Sequence, residues 1–167
     1  MQLRSAKMSD AADVVALYKR VAQTPGGLAR LEAEVDEEYV TGFLSRSLKD
    51  GLSIVAESED HVIVGEIHAY TNGLFCFSHV LSELTIAVDP NTQGQGVGRK
   101  LFEELMAIVE DQRPEILRVE LIARESNTRA ISFYKTLGFV QEGEFSRRIK
   151  NLDGSFESDI PMAWVRG

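Results

Sequence analysis

Between Leu84 and Met106 the chain reads as an apolar strand, a glycine-rich turn and an amphipathic helix, and few folds accommodate that succession. Leu84-Thr85-Ile86-Ala87-Val88 alternates as a strand does, Asp89-Pro90-Asn91 ends it, and Gln93-Gly94-Gln95-Gly96-Val97-Gly98 precedes the onset of helical periodicity. Glycines let a backbone approach a ligand closely and aim several N–H groups at it, with the positive end of a helix dipole behind them. The stretch is therefore an anion cradle, and phosphate is the natural guest.

Two common phosphate loops fail on spacing. A P-loop requires G-x-x-x-x-G-K-[ST], but here the last glycine is followed by Arg99-Lys100-Leu101. A dinucleotide turn requires G-x-G-x-x-G/A; counted from Gly94 its last position is Arg99, and from Gly96 it is Leu101. Glu120 stands where a ribose-binding acid would be sought, yet it falls inside an expected strand rather than at its end.

What remains is Gln93-x-x-Gly96-x-Gly98, which resembles the acyl-CoA-binding motif Q/R-x-x-G-x-G/A of the GCN5-related N-acetyltransferase (GNAT) family. A second block, from Asn127 through Ala130, Tyr134 and Gly138 to Phe139, is similar to that family's N-x-x-A-x-x-x-Y-x-x-x-G-F segment at each of those positions. The order of elements fits the family over nearly the whole chain.

The 167 residues suit one domain, 1–167, and a hydrophobic content of 44% suffices for a core. With 18 Lys and Arg against 26 Asp and Glu, the net charge of -8 disfavours nonspecific nucleic-acid binding and anionic membranes, and favours a cationic or amine-bearing substrate. The single cysteine, Cys76, excludes an internal disulfide and a cysteine-based metal cluster. No apolar run approaches the roughly 20 residues of a membrane span, and the first residues lack the apolar core of a signal peptide. A soluble, cytoplasmic protein is the expectation.

Taken in order, Gln2 to Ala6 reads as a short strand, and Val14, Leu17, Tyr18 and Val21 mark a helix with one buried face. The segment from Gln23 to Glu34 reads as loop, and a second helix is expected from about Asp36 to Leu48. Strands at Ser53 to Glu57 and Val62 to Tyr70 form a hairpin; Leu74, Phe75 and Phe77 follow in a loop, covering a substrate pocket or tucked into the core. His79 to Val88 is a strand, the helix behind the glycine turn stops at Pro114, and Leu117 to Ala123 is a strand. A helix closed by Gly138 comes next, then two strands, Phe139 to Ile149 and Phe156 to Val165. The order β-α-α-β-β-β-α-β-α-β-β is an α+β mixture. The resemblance implies a central, mostly antiparallel sheet with a splayed parallel pair, flanked by about four helices, and the cofactor's pantetheine arm in the splay.

It also implies acetyl-CoA as co-substrate. The backbone around Ile86, Ala87 and Val88 would hold the acyl carbonyl; the N–H groups of Gln95, Gly96, Val97, Gly98 and Arg99, in a turn shaped by Gln93 and Gly94, would hold the pyrophosphate. Arg99 and Lys100 reach a phosphate or are solvated helix residues. Asn127 would cap its helix and bond the pantetheine amide, with Ala130 and Phe133 beside it. On helical spacing alone Tyr134 reads as core; the match to the family's tyrosine makes it the acid that protonates the departing thiolate, since a phenol of pKa near 10 holds its proton at neutral pH.

Glu83, halfway along its strand, is the candidate base, its pKa raised by half-burial, or a glutamate on a solvated face that holds a cationic substrate. Glu66 and His68, facing the same way on the preceding strand, are weaker alternates. The three histidines have no metal-ligand spacing, so no metal is expected. The reading is an acetyl-CoA-dependent N-acetyltransferase acting on a primary amine of a small molecule, the segment after Glu142 loosely resembling the family's phosphinothricin-type and amino-acid acetyltransferases. A protein N-terminus or lysine is the alternative acceptor. The rivals are a non-catalytic acyl-CoA-binding module and a nucleotide-binding regulatory domain, and homodimerisation is common among such relatives.

Overall fold

Val14, Leu17, Tyr18 and Val21 recur every three or four residues along α1 (Ala11–Ala22), and all four are buried. The same spacing in α2 (Glu37–Asp50) buries Val40, Phe43 and Leu44, and Asp36 caps that helix by accepting the Tyr39 N–H at 2.8 Å. These two faces form one apolar cluster together with Val55, Ile63 and Ala87.

A computed structural model describes residues 1–92 and 94–167 of the chain. They cluster into two units interleaved in sequence, Met1–Tyr70 with Thr85–Pro114 and Thr71–Leu84 with Glu115–Gly167. The first unit holds β1 (Gln2–Ser5), α1, α2, β2 (Gly51–Glu57), β3 (Ile63–Tyr70), the last residues of β4 (Val80–Val88) and α3 (Val97–Gln112). Its strands run in the order β1-β2-β3-β4, with β1 antiparallel to β2 and β2 antiparallel to β3. Against β3 lies α3, whose Val97, Leu101, Phe102, Leu105, Met106 and Val109 are buried. Gly65 makes that approach possible, because a Cβ there would sit 2.8 Å from Leu101 Cδ1 and 2.9 Å from Val97 Cγ1.

The second unit contains the first residues of β4, β5 (Arg118–Arg124), α4 (Thr128–Thr136), β6 (Val140–Gln141), β7 (Phe145–Lys150) and β8 (Phe156–Val165). The order here is β4-β5-β8-β6, with β7 also paired to β8. β4 and β5 are the parallel pair, in register at Val80–Arg118 and Leu81–Val119, while β5 and β8 run antiparallel from Arg118–Val165 to Arg124–Asp159. Among the described residues, eight strands and four α-helices thus give the mixed, mostly antiparallel α+β architecture. No helix among the described residues is long and apolar enough to cross a membrane.

Two expectations need correction. The strand expected from Phe139 to Ile149 is broken into β6 and β7, because Glu142 and Glu144 are drawn sideways, the first to Arg118 at 2.9 Å and the second to Ser158 Oγ at 2.6 Å, with Gly143 between them. Leu117, expected to begin β5, lies before the strand and is exposed.

Candidate functional site

In the first unit the turn between β4 and α3 is built by Asp89. Its N–H donates to Val64 O on β3 at 2.9 Å, its carbonyl oxygen accepts the Thr92 N–H at 2.9 Å and the Thr92 hydroxyl at 2.8 Å, and its Oδ1 accepts the Asn91 N–H at 2.9 Å and the Asn91 side-chain amide at 3.0 Å. Oδ2 accepts the Nε–H of Arg20, from α1, at 2.8 Å. Strand end, turn and first helix are thereby joined through one side chain. Burial works to raise the Asp89 pKa, but the Asn91 N–H and the Arg20 guanidinium outweigh it and hold the carboxyl below its ordinary range.

Beyond the Pro90–Thr92 turn the backbone turns left-handed at Gly94, φ 82°, and again at Gly96, φ 70°. Gly96 is the N-cap of α3 and supplies no side chain to satisfy the helix's first N–H groups. The Lys100 N–H donates to Gly96 O at 3.0 Å, so Val97, Gly98 and Arg99 form the first turn of α3, where an α-helix presents its leading N–H groups outward along its axis. The Gln95 N–H donates to Thr92 O at 3.2 Å, inside the turn, so it drops out of the expected set of phosphate donors. A Cβ built on Gly94 or Gly96 would meet nothing within 4 Å, so the space above both residues is open. No acidic residue stands in the first turn of this 16-residue helix. The arrangement suits an anion with several oxygens, and a diphosphate fits it. Gln93, expected to shape the turn, lies outside the described residues.

Arg99 pairs with Glu103 at 3.2 Å, one helical turn on and exposed at both ends, an arrangement of little energetic weight. Lys100 is exposed. A Cβ on Gly98 would lie 3.4 Å from Val88 Cγ2 and 3.8 Å from Ile86 Cδ1, so those two side chains pack under the start of α3; Ala87 belongs to the opposite cluster with α1 and α2.

Replacing Asp89 by Ala removes three side-chain hydrogen bonds, two to Asn91 and one from Arg20. Acetyl-CoA affinity should fall about tenfold or more, as expected when hydrogen bonds to a charged group worth roughly 1.5–3 kcal/mol are lost; isothermal titration reads this directly. The sign of the pH effect follows from the lowered pKa. The carboxylate's contribution is complete above its unfolded value of about 3.9 and is lost as pH falls through the lower folded value. Wild-type affinity should therefore hold down to about pH 4 with respect to this group.

In the second unit, Asn127 caps α4 by accepting the Ala130 N–H at 3.2 Å. None of the helix's residues is fully buried; Ala130, Phe133 and Tyr134 are half-buried. The Tyr134 ring lies 5.9 Å from Phe133 and 6.2 Å from the buried Phe139, and burial pushes its phenol above the ordinary value near 10. Tyr134 is thus half-covered on a helix face, with its hydroxyl protonated at neutral pH.

Glu83 is exposed rather than half-buried, so the burial that was to favour its base role is absent. Its φ of 55° breaks the alternation of β4, a costly conformation for a residue with a Cβ and one that re-aims a side chain within a strand. Glu66 and His68 do share a face of β3, but both are buried and bonded to each other. Leu74, Phe75 and Phe77 are exposed, Phe75 at 94%, which removes the expectation that they tuck into the core.

The acetyltransferase (GNAT) family model matches residues 14–139, which span both the glycine turn and the Asn127–Phe139 block. The chain belongs to this family. Among curated relatives, the [ribosomal protein bS18]-alanine N-acetyltransferase of Escherichia coli (strain K12) is 46% identical over 87 residues, 50% of this chain and 57% of its own length. The N-alpha-acetyltransferase RimI of Mycobacterium tuberculosis is 35% identical over 71 residues, 42% of this chain and 41% of its own. The chain thus spans about half the length of the curated relatives it matches, 57% of the first and 41% of the second. Solved structures share the fold over nearly its whole length. A phosphinothricin acetyltransferase from Sinorhizobium meliloti in complex with AcCoA superposes with a TM-score of 0.85 at 18% identity, covering 99% of this chain and 88% of that one. A ribosomal-protein-alanine N-acetyltransferase from Brucella melitensis gives 0.83 at 24% identity, covering 99% of each.

Asp89 and Arg20 are the residues that sequence reasoning missed. Asp-Pro-Asn carries the signal of a side-chain-bonded turn, whereas nothing local ties Arg20 to a residue 69 positions away.

Proposed function

We propose that this protein transfers the acetyl group of acetyl-CoA to a primary amine by direct attack of the amine on the thioester. The observation that carries the proposal is Gly96: a left-handed glycine capping a long helix, with open space where its side chain would be, in the connection that follows the end of β4. The amides of residues 96–99 hold the diphosphate, the backbone of residues 86–88 holds the acyl carbonyl oxygen as charge develops on it, and Tyr134 gives its proton to the leaving sulfur. Glu83, exposed and anionic, attracts the ammonium form of the acceptor, in keeping with the net charge of -8.

For the acceptor, a small amine or amino acid is the first reading. A peptide or protein N-terminus bearing alanine is the second, favoured by the names of the curated relatives and by the exposed Leu74-Phe75-Cys76-Phe77 loop, which suits a larger partner. A thiol-release screen with acetyl-CoA across amino acids, polyamines, aminoglycosides and alanine-initiated peptides separates the two. Binding is tested beforehand by thermal shift. CoA at about 100 Kd should stabilise the fold by roughly 2.7 kcal/mol, whereas stabilisation by ATP or NAD without CoA would support a nucleotide-binding domain instead.

A further inference from the structure

The first unit encloses a polar cluster that the proposed reaction has not used. Glu66 on β3 is fully buried and accepts three hydrogen bonds: from the Tyr18 hydroxyl of α1 at 2.6 Å, from the Ser53 hydroxyl of β2 at 2.7 Å, and from His68 Nδ1 at 3.0 Å. The Tyr18 hydroxyl also lies 3.4 Å from His68 Nδ1. A carboxylate with these neighbours fixes the imidazole with its proton on Nδ1 and its lone pair on Nε2, the relation that orients a catalytic histidine. The ring is held in plane by Phe43, stacked at 3.9 Å and 13°, and runs parallel to Tyr70 at 6.1 Å.

His68 is 2% exposed, and its hydrogen bonds run through Nδ1. No buried side-chain nitrogen or oxygen among the described residues is left without a partner, and with Nδ1 committed to Glu66, Nε2 is the ring nitrogen left to exchange a proton. The strand beside β3 is β4, whose residues 86–88 are the proposed carbonyl-binding segment, and Ala87 shares the buried cluster with Tyr18 and Phe43. The cluster therefore lies on the α1 and α2 face of the sheet, one strand from that segment.

We propose that His68, oriented by Glu66, is the proton acceptor for the incoming amine; the proposal rests on the acetyl-transfer reading given above. The acceptor's ammonium gives one proton to Nε2, directly or through one water. The neutral nitrogen then forms the N–C bond at the thioester carbonyl, the intermediate collapses with cleavage of C–S, and sulfur takes the Tyr134 proton. Tyr134 regains a proton from the one released by the new amide nitrogen, and His68 gives its own to solvent. Ammonium and thioester thus yield amide, thiol and one proton. Glu66 is a positioning residue. Around the imidazole stand Glu66 and Tyr70 from β3, Tyr18 from α1, Ser53 from β2 and Phe43 from α2; farther out, Tyr39 packs on Tyr18 and Phe43 with Arg30 over its ring, and Arg46 lies over Tyr70.

The test compares wild type, His68→Asn, Glu66→Gln and Glu83→Gln by CoA release with an alanine-initiated hexapeptide, and in a second arm with free amino acids, from pH 5 to 9. The asparagine amide can still donate to Glu66 but has no basic nitrogen. His68→Asn should lower kcat by 10²-fold or more, within the usual general-base range, with the acetyl-CoA Kd unchanged. Glu66→Gln should lower kcat and move the imidazole proton to Nε2, read by 15N-histidine NMR. Glu83→Gln should raise the acceptor KM with little change in kcat. If His68→Asn keeps the wild-type rate and pH profile, the cluster is packing and the proposal is wrong. Should neither acceptor class react or His68→Asn fail to fold, NMR of the wild type decides: Nδ1–H with a bare Nε2 supports the proposal, and Nε2–H overturns it. Absence of turnover with CoA bound would count against the proposed reaction, not against this tautomer.

Discussion

Replacing Gly96 by Asp should leave the protein folded and weaken acetyl-CoA binding by two to three powers of ten. The fold survives because a Cβ at this position meets nothing within 4 Å, so the cost is confined to the left-handed φ of 70°, on the order of 1–2 kcal/mol and least for Asp and Asn. A carboxylate at the N-terminus of α3 even returns part of that through the helix dipole. The same carboxylate occupies the space assigned to the diphosphate. Two like charges about 4 Å apart near a surface repel by roughly 4 kcal/mol, and each 1.4 kcal/mol is tenfold in Kd. Gly96→Ala separates the causes, since it carries the strain and the bulk without the charge and should lose much less affinity. Titration calorimetry beside a melting curve gives both quantities, and wild-type affinity in the aspartate variant would show that the anion sits elsewhere.

The second large effect is on turnover. Tyr134→Phe should lower kcat about 10²-fold, the usual scale for loss of a general acid, while the acetyl-CoA Kd stays within a factor of two or so. The ring keeps its contacts with Phe133 and Phe139 in either variant, so stability should change little. The pH profile adds a signed check. Activity that depends on the protonated phenol is lost as pH rises through its pKa, and burial places that pKa above the ordinary value near 10. No basic limb should therefore come from Tyr134 at or below pH 10. An unchanged kcat in the phenylalanine variant would return Tyr134 to a packing role.

The elements that carry their own periodicity were readable from the amino acids. The helix bearing Val14, Leu17, Tyr18 and Val21, the strand-turn-helix around Gly96 and the Asn127 cap all follow from local spacing, and the structure places them as expected. What the sequence concealed depends on contacts between distant segments. The left-handed kink at Glu83 leaves no mark on composition, so an apparently regular strand hid the turn that exposes its glutamate. The break between β6 and β7 depends on Arg118 and Ser158, both far along the chain from Glu142 and Glu144. Glu66 and His68 were visible as neighbours on one strand, but their burial needed Tyr18, Phe43 and Ser53 from three other elements.

The claim on which the rest depends is that main-chain amides at the start of α3 bind the cofactor's diphosphate. Amide 1H–15N spectra recorded during titration of the full chain with acetyl-CoA address it residue by residue. The largest shifts should fall on Gly96, Val97, Gly98 and Arg99, with Gln95 moving less because its N–H is already bonded to Thr92. Saturable binding that left residues 96–99 unmoved while shifting amides elsewhere would contradict the account.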